Sequence, residues 1–291
     1  MSAEATVSAI SPRNPVYRAR KLQNRVLLLI SFLALAFGLF WLVWILGTLL
    51  YEGGAALLRA TLYYQMTPPP GSDGGLANAI AGSALLVAMG TVIGTPIGIL
   101  AGTYLAEYGK RSWLASSTRF LNDVLLSAPS IVMGLFVYSV YVAYVKHFSG
   151  WAGAMALGLI VIPVVVRTTD DMLKLVPNSL REAAIALGCP MWKVITMITY
   201  RAARTGILTG VLLAVARISG ETAPLLFTAL NNQFWSMDLN RPMSNLPTVI
   251  FQFAMSPYED WHRLAWGGAA LITLAVLALN IIARLLFHKK D

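Results

Sequence analysis

Long apolar segments alternate with short polar stretches along most of this chain. Six segments are long enough, at roughly 20 residues each, to cross a bilayer as helices. They run from Val26 to Leu50, from about Leu76 to Leu105, from Leu121 to Val145, from Trp151 to Val166, from about Gly206 to Leu230 and from Leu264 to Phe287. The fourth is the shortest and can continue past Arg167 as a helix. The pattern predicts an all-α membrane protein with six transmembrane helices in one domain, residues 26–287, between tails 1–25 and 288–291.

The composition fits lipid rather than water as the main solvent of the chain. Hydrophobic residues make up 57% and charged residues 12%, whereas soluble domains contain about 25% charged residues. The mean hydropathy is +0.66. The net charge of +9 does not indicate nucleic-acid binding, because the positive charges lie at the ends of apolar segments. Cys189 is the only cysteine, so no internal disulfide is possible.

The distribution of lysine and arginine predicts the orientation in the membrane. Most of the 22 such residues lie in the N-terminal tail, in the loops after the second and fourth apolar segments, and in the C-terminal tail. The opposite loops contain only Arg59, Lys146, Arg241 and Arg263. Because positively charged loops stay in the cytoplasm, both termini are predicted to be cytoplasmic. The first apolar segment is too long for the roughly 7–15-residue core of a signal peptide, and we expect a retained helix.

Two predicted outer loops are long enough to have a role of their own. The loop 51–75 contains Pro68-Pro69-Pro70-Gly71, which is predicted to be a stiff, non-helical turn. The loop 231–263 contains the aromatic residues Phe234, Trp235 and Trp261. These side chains can form an interfacial belt or a docking surface for an external protein, and the sequence leaves both interpretations open.

Small residues and prolines predict how the helices pack. Gly90, Gly94, Gly98 and Gly102 recur every four residues, which places them on one face of the second helix, where another backbone can approach closely. We interpret this stripe as a helix-packing surface. Prolines within or beside the apolar segments are expected to bend helices; they are Pro96, Pro129, Pro163 and Pro224.

The segment 168–204, between the fourth and fifth apolar segments, contains a short helix with its own start and stop signals. Ser179 and Glu182 fit a capping box, and Gly188 followed by Cys189-Pro190 fits a left-handed helix end. One face of this helix is apolar and carries Leu180, Ala183, Ala184 and Leu187. A helix of about two turns is marginal alone, so we expect a partner groove to support it.

This short helix resembles the EAA signature of ABC-importer permease subunits. The resemblance rests on Glu182-Ala183-Ala184, Gly188 and Ile198, although Thr199-Tyr200-Arg201 replaces the usual continuation of the pattern after the isoleucine. It implies a type I ABC-importer permease bundle, with a coupling helix seated in the nucleotide-binding subunit. The implied ATPase-coupling residues are Ser179, Arg181, Glu182, Ala183, Ala184, Leu187 and Gly188.

Four longer stretches are similar to the PstA-type permeases of phosphate-specific ABC importers. They are 38–41, 66–70, 125–132 and 216–228, and the similarity extends from the first helix to the last. The resemblance implies import of inorganic phosphate across a bacterial inner membrane. It also implies a complex with a PstC-type permease, a PstB-type ATPase dimer that binds ATP and magnesium, and a PstS-type periplasmic phosphate-binding protein. No cofactor is expected on this chain.

The sequence lacks the usual motif for ATP hydrolysis. No G-x-x-x-x-G-K-[ST] occurs, since Gly109-Lys110 has Tyr104 at the position of the earlier glycine and Arg111 after the lysine. The three histidines, His147, His262 and His288, are far apart in the sequence, so no metal site is predicted. We expect that the chain is not an enzyme by itself.

Arg217 is the main candidate for contact with the substrate. At about 1.5 Å per residue from Gly206, it is predicted to lie roughly 16 Å deep in the bilayer, where a charge is costly. Glu221 is four residues further on and shares its helix face. The two can form an ion pair that fixes packing or closes a gate, or Arg217 can present its guanidinium to phosphate oxygens, with hydroxyl groups from Ser219 and Thr222. A pair that phosphate displaces would satisfy both interpretations.

Several functions remain open on residues alone. A carboxylate at Glu221 would accept a hydrogen bond from the proton that phosphate carries and would repel sulfate, but Arg217 would suit sulfate, molybdate or phosphonate as well. A secondary transporter or an anion channel is a second class, and a membrane scaffold or sensor is a third. The capped cytoplasmic helix favours an importer that works by alternating access and is driven by an ATPase.

Overall fold

The computed structural model describes residues 15–109 and 112–287, and all regular structure within them is helical. The chain divides into two units, Met1–Tyr51 and Glu52–Asp291. Both predicted tails fall partly outside the described residues, at 1–14 and at 288–291, as do Lys110 and Arg111 of the second predicted loop.

The helices have these bounds: α1 (Pro15–Leu57), α2 (Thr61–Tyr64), α3 (Ala77–Thr103), α4 (Trp113–Ser127), α5 (Ser130–Val137), α6 (Ala143–Val145), α7 (Gly150–Lys174), α8 (Asn178–Ala186), α9 (Met191–Lys193), α10 (Tyr200–Ile218), α11 (Ala223–Leu226), α12 (Leu246–Ala254) and α13 (Glu259–Phe287). Three π-helical stretches join some of them: π1 (Tyr104–Tyr108), π2 (Tyr138–Val142) and π3 (Val194–Thr199). Among the described residues, 4 helices are long and apolar enough to cross a membrane, or up to 5 if a bent pair counts as one span.

The first unit consists of the main part of α1. The helix begins at Pro15, before the predicted apolar segment, and continues without a break through it. Large apolar side chains are exposed along its length, and the ring of Phe40 contacts those of Trp41 and Trp44 at 5.6 and 6.0 Å. An exposed apolar helix of this length is typical of a segment that faces lipid or another membrane helix.

In the second unit, α3 and α7 pack against each other through the glycine stripe. A Cβ atom placed on Gly98 would lie 2.6 Å from the Cβ of Val165, and one on Gly94 would lie 2.8 Å from the carbonyl oxygen of Gly158. Those atoms belong to α7, and Gly90 and Gly102 meet the same helix. Real Cβ contacts are longer, so the predicted close packing is confirmed and only glycine fits these positions.

The third predicted segment, Leu121–Val145, is not one straight helix. It is divided into α4 and a second part, Ser130–Val145, and the two are bent by 106°. Pro129 at the break has no N–H to continue the helix and holds Ala128 in an extended conformation with ψ of 137°. The expected effect of Pro129 is therefore confirmed, whereas one continuous helix over this segment is wrong.

The fourth predicted segment continues as a helix well past Arg167, as expected, because α7 ends at Lys174. Pro163 lies inside it without ending the helix. The side chain of Asn122 on α4 donates a hydrogen bond to the Pro163 carbonyl oxygen, with an N–O distance of 3.3 Å. A carbonyl that proline deprives of its helical partner is thus satisfied by a neighbouring helix.

The fifth predicted segment, Gly206–Leu230, is also wrong as a single helix. Helix α10 ends at Ile218, and the chain leaves helical structure before the short helix α11 begins at Ala223. Gly220 at the break and Pro224 in the first turn of α11 explain the interruption. Arg217 therefore lies in the last turn of a helix, rather than in the middle of a continuous span.

At the end of the bundle where α3 begins, buried polar side chains connect the loops to the helices. The amide of Asn78 donates to the Thr67 hydroxyl at 3.0 Å and to the Asn232 carbonyl at 3.1 Å. Asn245 caps α12 by accepting a hydrogen bond from the Thr248 backbone. Residues 68–71 are non-helical, as the four-residue proline-glycine motif predicts. These contacts fix both long loops against the helices.

Candidate functional site

Arg217 and Glu221 lie together at the end of α10. The Nε of Arg217 is 3.9 Å from the Oε1 of Glu221, and the two side chains are 43% and 17% exposed. This distance allows electrostatic attraction but is too long for a hydrogen bond. The helix end holds both residues on one side, while the interruption at Gly220 lets the carboxylate adopt a position outside the regular helix.

The Arg217 side chain lines a small pocket beside the bend between α4 and α5. The other lining residues are Leu125, Leu126, Ala128, Ser130, Met133, Ile160 and Pro163. The pocket volume is about 10 Å³, which is close to the minimum for one water molecule. An anion that binds Arg217 in this conformation must therefore do so on the exposed side of the guanidinium. Ser130 is the first residue of α5, so the positive end of that helix lies at the same pocket.

The two predicted hydroxyl donors lie differently from Arg217. Ser219 donates a hydrogen bond from its hydroxyl to the Val215 carbonyl at 2.7 Å and lines an apolar groove of about 300 Å³ with residues of α3 and α13. Residues two positions apart on a helix lie on roughly opposite faces, which explains why Ser219 does not line the Arg217 pocket. Thr222 immediately precedes α11, and its hydroxyl makes no capping hydrogen bond there.

The predicted coupling helix is α8. The sequence predicted its C-terminal end correctly and its N-terminal cap wrongly. Pro177 precedes the helix at the N-cap position and no side chain caps it, so the predicted capping box of Ser179 and Glu182 is wrong. At the other end, Gly188 has a φ of +80°, and its N–H donates to the Ile185 carbonyl at 2.8 Å. The Cys189 N–H donates to the Ala184 carbonyl at 3.1 Å, which completes the predicted left-handed helix end.

Most of the predicted coupling residues are exposed. Ala184 is the one buried residue of α8, whereas Leu180, Ile185 and Leu187 are exposed, Leu187 by 89%. Ser179, Glu182, Ala183 and Gly188 are exposed as well. Apolar side chains on a short exposed helix are the pattern of a surface that another protein covers.

Arg181 is the exception in this group, since its side chain points into the bundle. Its Nη2 donates to the Oε1 of Glu107 at 2.7 Å and to the Leu173 carbonyl at 2.7 Å, and its Nη1 donates to the Val176 carbonyl at 2.6 Å. Sequence reasoning did not find Glu107, because the two residues are 74 positions apart. A periodic sequence pattern indicates contacts only between residues a few positions apart, so it does not show this one.

A second buried charge lies near the same end of α7. Asp170 is buried, and its Oδ2 accepts a hydrogen bond from the Lys174 ammonium at 2.5 Å and lies 3.5 Å from the Nε of Arg119. Arg119 also donates to the Leu105 carbonyl at 2.7 Å. The i, i+4 spacing of Asp170 and Lys174 could have indicated this pair in the sequence. The cluster connects the start of π1, the middle of α4 and the end of α7.

The aromatic residues of the loop 231–263 divide into two groups. Trp261 stacks on Phe253 with a ring distance of 4.4 Å, so it belongs to the packed interior, whereas Phe234 and Trp235 are exposed. Near them, the backbone N–H of Asn240 lowers the pKa of Asp238, whose carboxylate also faces Arg241. Both interpretations of the exposed aromatics, belt or docking surface, stay predictions.

Comparison with known families decides the class of the chain. Residues 94–289 match the family described as binding-protein-dependent transport system inner membrane component. The chain belongs to this family. The matched range contains α7, α8, α10 and α13, and therefore both the Arg217 pocket and the coupling helix.

Relatives extend the similarity over the whole chain. A protein from Pasteurella multocida (strain Pm70) is 67% identical over 278 residues, 96% of this chain and 99% of its own length. A protein from Haemophilus influenzae is 65% identical and covers 93% of this chain and 96% of its own length. One from Yersinia pestis is 60% identical and covers 100% and 98%. All three are called phosphate transport system permease protein PstA.

Solved structures agree with this family membership at the level of the fold. The chain is similar to the MetNI methionine ABC transporter in inward facing conformations, with a TM-score of 0.59 at 15% identity over 72% of this chain and 95% of that one. An amino acid ABC transporter matches with a TM-score of 0.54 at 16% identity over 73% and 92%. The fold is therefore that of an ABC transporter permease, a multi-pass membrane protein.

Proposed function

We propose that this chain is the permease subunit of an ATP-driven importer that moves inorganic phosphate into the cytoplasm. The observation that carries the proposal is the identity of 60% to 67%, over nearly the full length, to three proteins named as phosphate transport permeases. The geometry of Arg217 supports an anionic substrate, since its guanidinium is half exposed and held only by a long ion pair.

In this proposal the chain crosses a bacterial inner membrane six times, with both termini in the cytoplasm. The apolar helices and the family membership support an integral membrane location. The positive charges in the even-numbered loops favour a cytoplasmic position for α8. The bent pair of α4 and Ser130–Val145 would be one crossing, and α10 with α11 would be another, each broken near its middle.

Arg217 and Glu221 would form the gate of the phosphate pathway. Transporters often place substrate sites where helices are interrupted, and two interruptions meet here, one between α4 and α5 and one after α10. An arriving phosphate would displace Glu221 from Arg217 and also face the positive end of α5 at Ser130. Ser219 and Thr222 would contribute hydroxyl donors only after a change in the helix end.

The coupling helix would connect the permease to a partner ATPase. The exposed face that carries Leu180, Ala183 and Leu187 would lie in a groove of that subunit, which would bind ATP and magnesium. The complex would contain a second permease of PstC type, two ATPase subunits of PstB type and a binding protein of PstS type. Movement of α8 during ATP binding and hydrolysis would alternate the pathway between outward-open and inward-open states.

ATP-driven uptake of labelled phosphate into vesicles that contain the full complex tests the proposal. We expect uptake that requires ATP, and a loss of at least about 100-fold in Arg217→Ala, since the pathway loses the guanidinium that would bind phosphate. Arg25→Ala, which removes an exposed arginine of α1, is the matched control and should transport normally. Assembly with the ATPase is measured for each variant.

Each other outcome has a defined meaning. Uptake of sulfate or molybdate instead of phosphate would show that the substrate is another oxyanion and would leave the proposed mechanism unchanged. Uptake without ATP would indicate a secondary carrier. Normal uptake by Arg217→Ala would show that the arginine is structural, and the pathway assignment would be wrong.

A further inference from the structure

The side chain of Arg181 attaches the coupling helix α8 to the bundle by hydrogen bonds. Arg181 donates hydrogen bonds to both carboxylate oxygens of Glu107 and to the carbonyl oxygens of Leu173 and Val176 at the end of α7. A bidentate guanidinium–carboxylate contact with further acceptors fixes the position of the arginine in all directions. Glu107 itself lies in π1, which continues α3.

This ion pair is shielded from water. The side chain of Arg181 is 12% exposed and that of Glu107 is 3% exposed. Removal of one partner from a buried pair leaves an uncompensated charge, so the geometry of such a pair is strongly maintained. By contrast, the exposed pair of Arg167 with Asp123 on α4, at 3.5 Å, adds little rigidity.

Other contacts of α8 with the bundle are few. Its apolar face is exposed except for Ala184, and short turns at Pro177 and Gly188 connect it to α7 and to α9. To the connections of α8 through the chain, Arg181 adds a direct contact with π1, which continues α3.

A second contact, one turn before Glu107, joins the end of α3 to the start of α10. The Thr103 hydroxyl donates to the Ile99 carbonyl at 2.7 Å, so the Tyr200 hydroxyl, 2.8 Å away, must donate to Thr103. Ala106, Leu173 and Ile207 pack together beneath these contacts. The ends of α3 and α7 and the start of α10 thus meet in one packed layer, with α8 held above it by Arg181.

We propose that Glu107 is a positioning residue for energy coupling: it holds Arg181 so that the ATP-driven displacement of α8 moves α3 together with α7. This inference rests on the proposed function, because it requires that α8 docks on an ATPase. The glycine stripe makes α3 and α7 one packed unit, so a displacement delivered to the end of α3 moves both helices. Loss of the pair would remove the direct contact between α8 and π1, and α8 would then transmit its displacement to this packed unit less completely, through the chain that joins it to α7.

Glu107→Gln tests this inference in the full complex, with phosphate uptake and ATP hydrolysis measured on the same vesicles. We expect the ratio of phosphate imported to ATP hydrolysed to fall about tenfold, while hydrolysis per assembled complex stays within about twofold of wild type. Asp123→Asn removes a carboxylate from the exposed pair with Arg167 and is the matched control, with an unchanged ratio. A purely structural role of Glu107 would lower both activities together.

The alternative outcomes are distinguishable. If wild type imports no phosphate, the proposed function fails; if wild type imports it and Glu107→Gln keeps its ratio, or loses uptake and hydrolysis in equal proportion, the inference about Glu107 is wrong. If Glu107→Gln does not assemble, Glu107→Asp and Arg181→Lys keep the charges and replace it. Both should give an intermediate ratio, and a wild-type ratio in both would contradict the proposal.

Discussion

The two Arg–Glu ion pairs among the described residues have the same chemistry and opposite geometry. Arg181 and Glu107 are 2.7 Å apart and buried, and the guanidinium also bonds two backbone carbonyls. Arg217 and Glu221 are 3.9 Å apart and partly exposed, and neither side chain has a hydrogen bond within the described residues. One arginine has its donors fully used, and the other has donors left for a ligand.

The difference follows from where each pair is built. Arg181 leaves a short helix and enters the layer between α3 and α7, where water is excluded and each donor needs an acceptor. Arg217 and Glu221 lie next to each other on an interrupted helix end that faces a break in α4 and α5. A buried, fully hydrogen-bonded pair such as Arg181–Glu107, the closed pair, can transmit a displacement. A long, partly exposed pair such as Arg217–Glu221, the open pair, can exchange its partner for a ligand. We interpret the first as part of the coupling apparatus and the second as part of the pathway.

The largest expected difference between the pairs is in stability. Arg181→Ala leaves the buried Glu107 uncompensated and should destabilise the complex by about 3–5 kcal/mol. Arg217→Ala removes a long, partly exposed pair and should cost less than about 1 kcal/mol. Thermal unfolding of the purified complexes in detergent measures both changes. Equal losses would show that the two pairs contribute similarly, against the comparison.

A lysine substitution distinguishes the pairs by function. Arg217→Lys keeps the charge but loses the planar fork, and we expect phosphate uptake to fall about 10-fold to 100-fold. Uptake titrated against phosphate concentration in vesicles checks this, with Arg25→Lys as the control. If Arg217→Lys transports at the wild-type rate, a point charge is sufficient, and recognition through a guanidinium fork would be excluded.

The sequence predicted where helices occur more reliably than where they break. All six apolar segments contain helix, and Pro129 correctly indicated the bend between α4 and α5. Pro224 was expected to bend the fifth segment, but the end of α10 at Ile218 was not predicted, because apolar residues continue beyond it. A window of hydropathy averages across such a break and does not detect it.

The site was predicted in part for a similar reason. The i, i+4 spacing of Arg217 and Glu221 is local, so the sequence shows it. Glu107, the partner of Arg181, is distant in sequence and depends on the packing of α3 against α7. The capping box at Ser179 failed because the helix starts one residue earlier, directly after Pro177.

Glu221→Gln examines the open pair from the side of the carboxylate. Near neutral pH phosphate carries a proton and can donate a hydrogen bond to a carboxylate, whereas sulfate carries none. Replacing the carboxylate by an amide should therefore lower the discrimination between phosphate and sulfate by about tenfold. Competition of sulfate with labelled phosphate in the vesicle assay measures this. Glu259→Gln, which changes an exposed glutamate at the start of α13, should leave discrimination unchanged. Undiminished discrimination in Glu221→Gln would assign selectivity to other groups.

The smallest expected effects concern one glycine near each pair. Gly188 ends α8 with a φ of +80°, so Gly188→Ala forces a left-handed conformation on a residue with a Cβ and should cost about 1 kcal/mol. Gly220, next to Glu221, does not have a positive φ, and a Cβ there would meet nothing within 4 Å. Gly220→Ala should therefore be neutral, or more stable by about 0.5 kcal/mol, because it restricts the unfolded chain.

The same thermal unfolding measurement compares the two glycine variants, and uptake gives a second comparison. A stiffer break next to Glu221 should slow phosphate uptake if the open pair must rearrange during transport, even where stability is unchanged. Gly188→Ala should instead lower the import-to-hydrolysis ratio only slightly, because Arg181 still holds α8 on α3. If Gly220→Ala transports normally while Gly188→Ala fails, rearrangement at α8 rather than at the Arg217 gate would limit the cycle, and the roles of the closed and open pairs would have to be reversed.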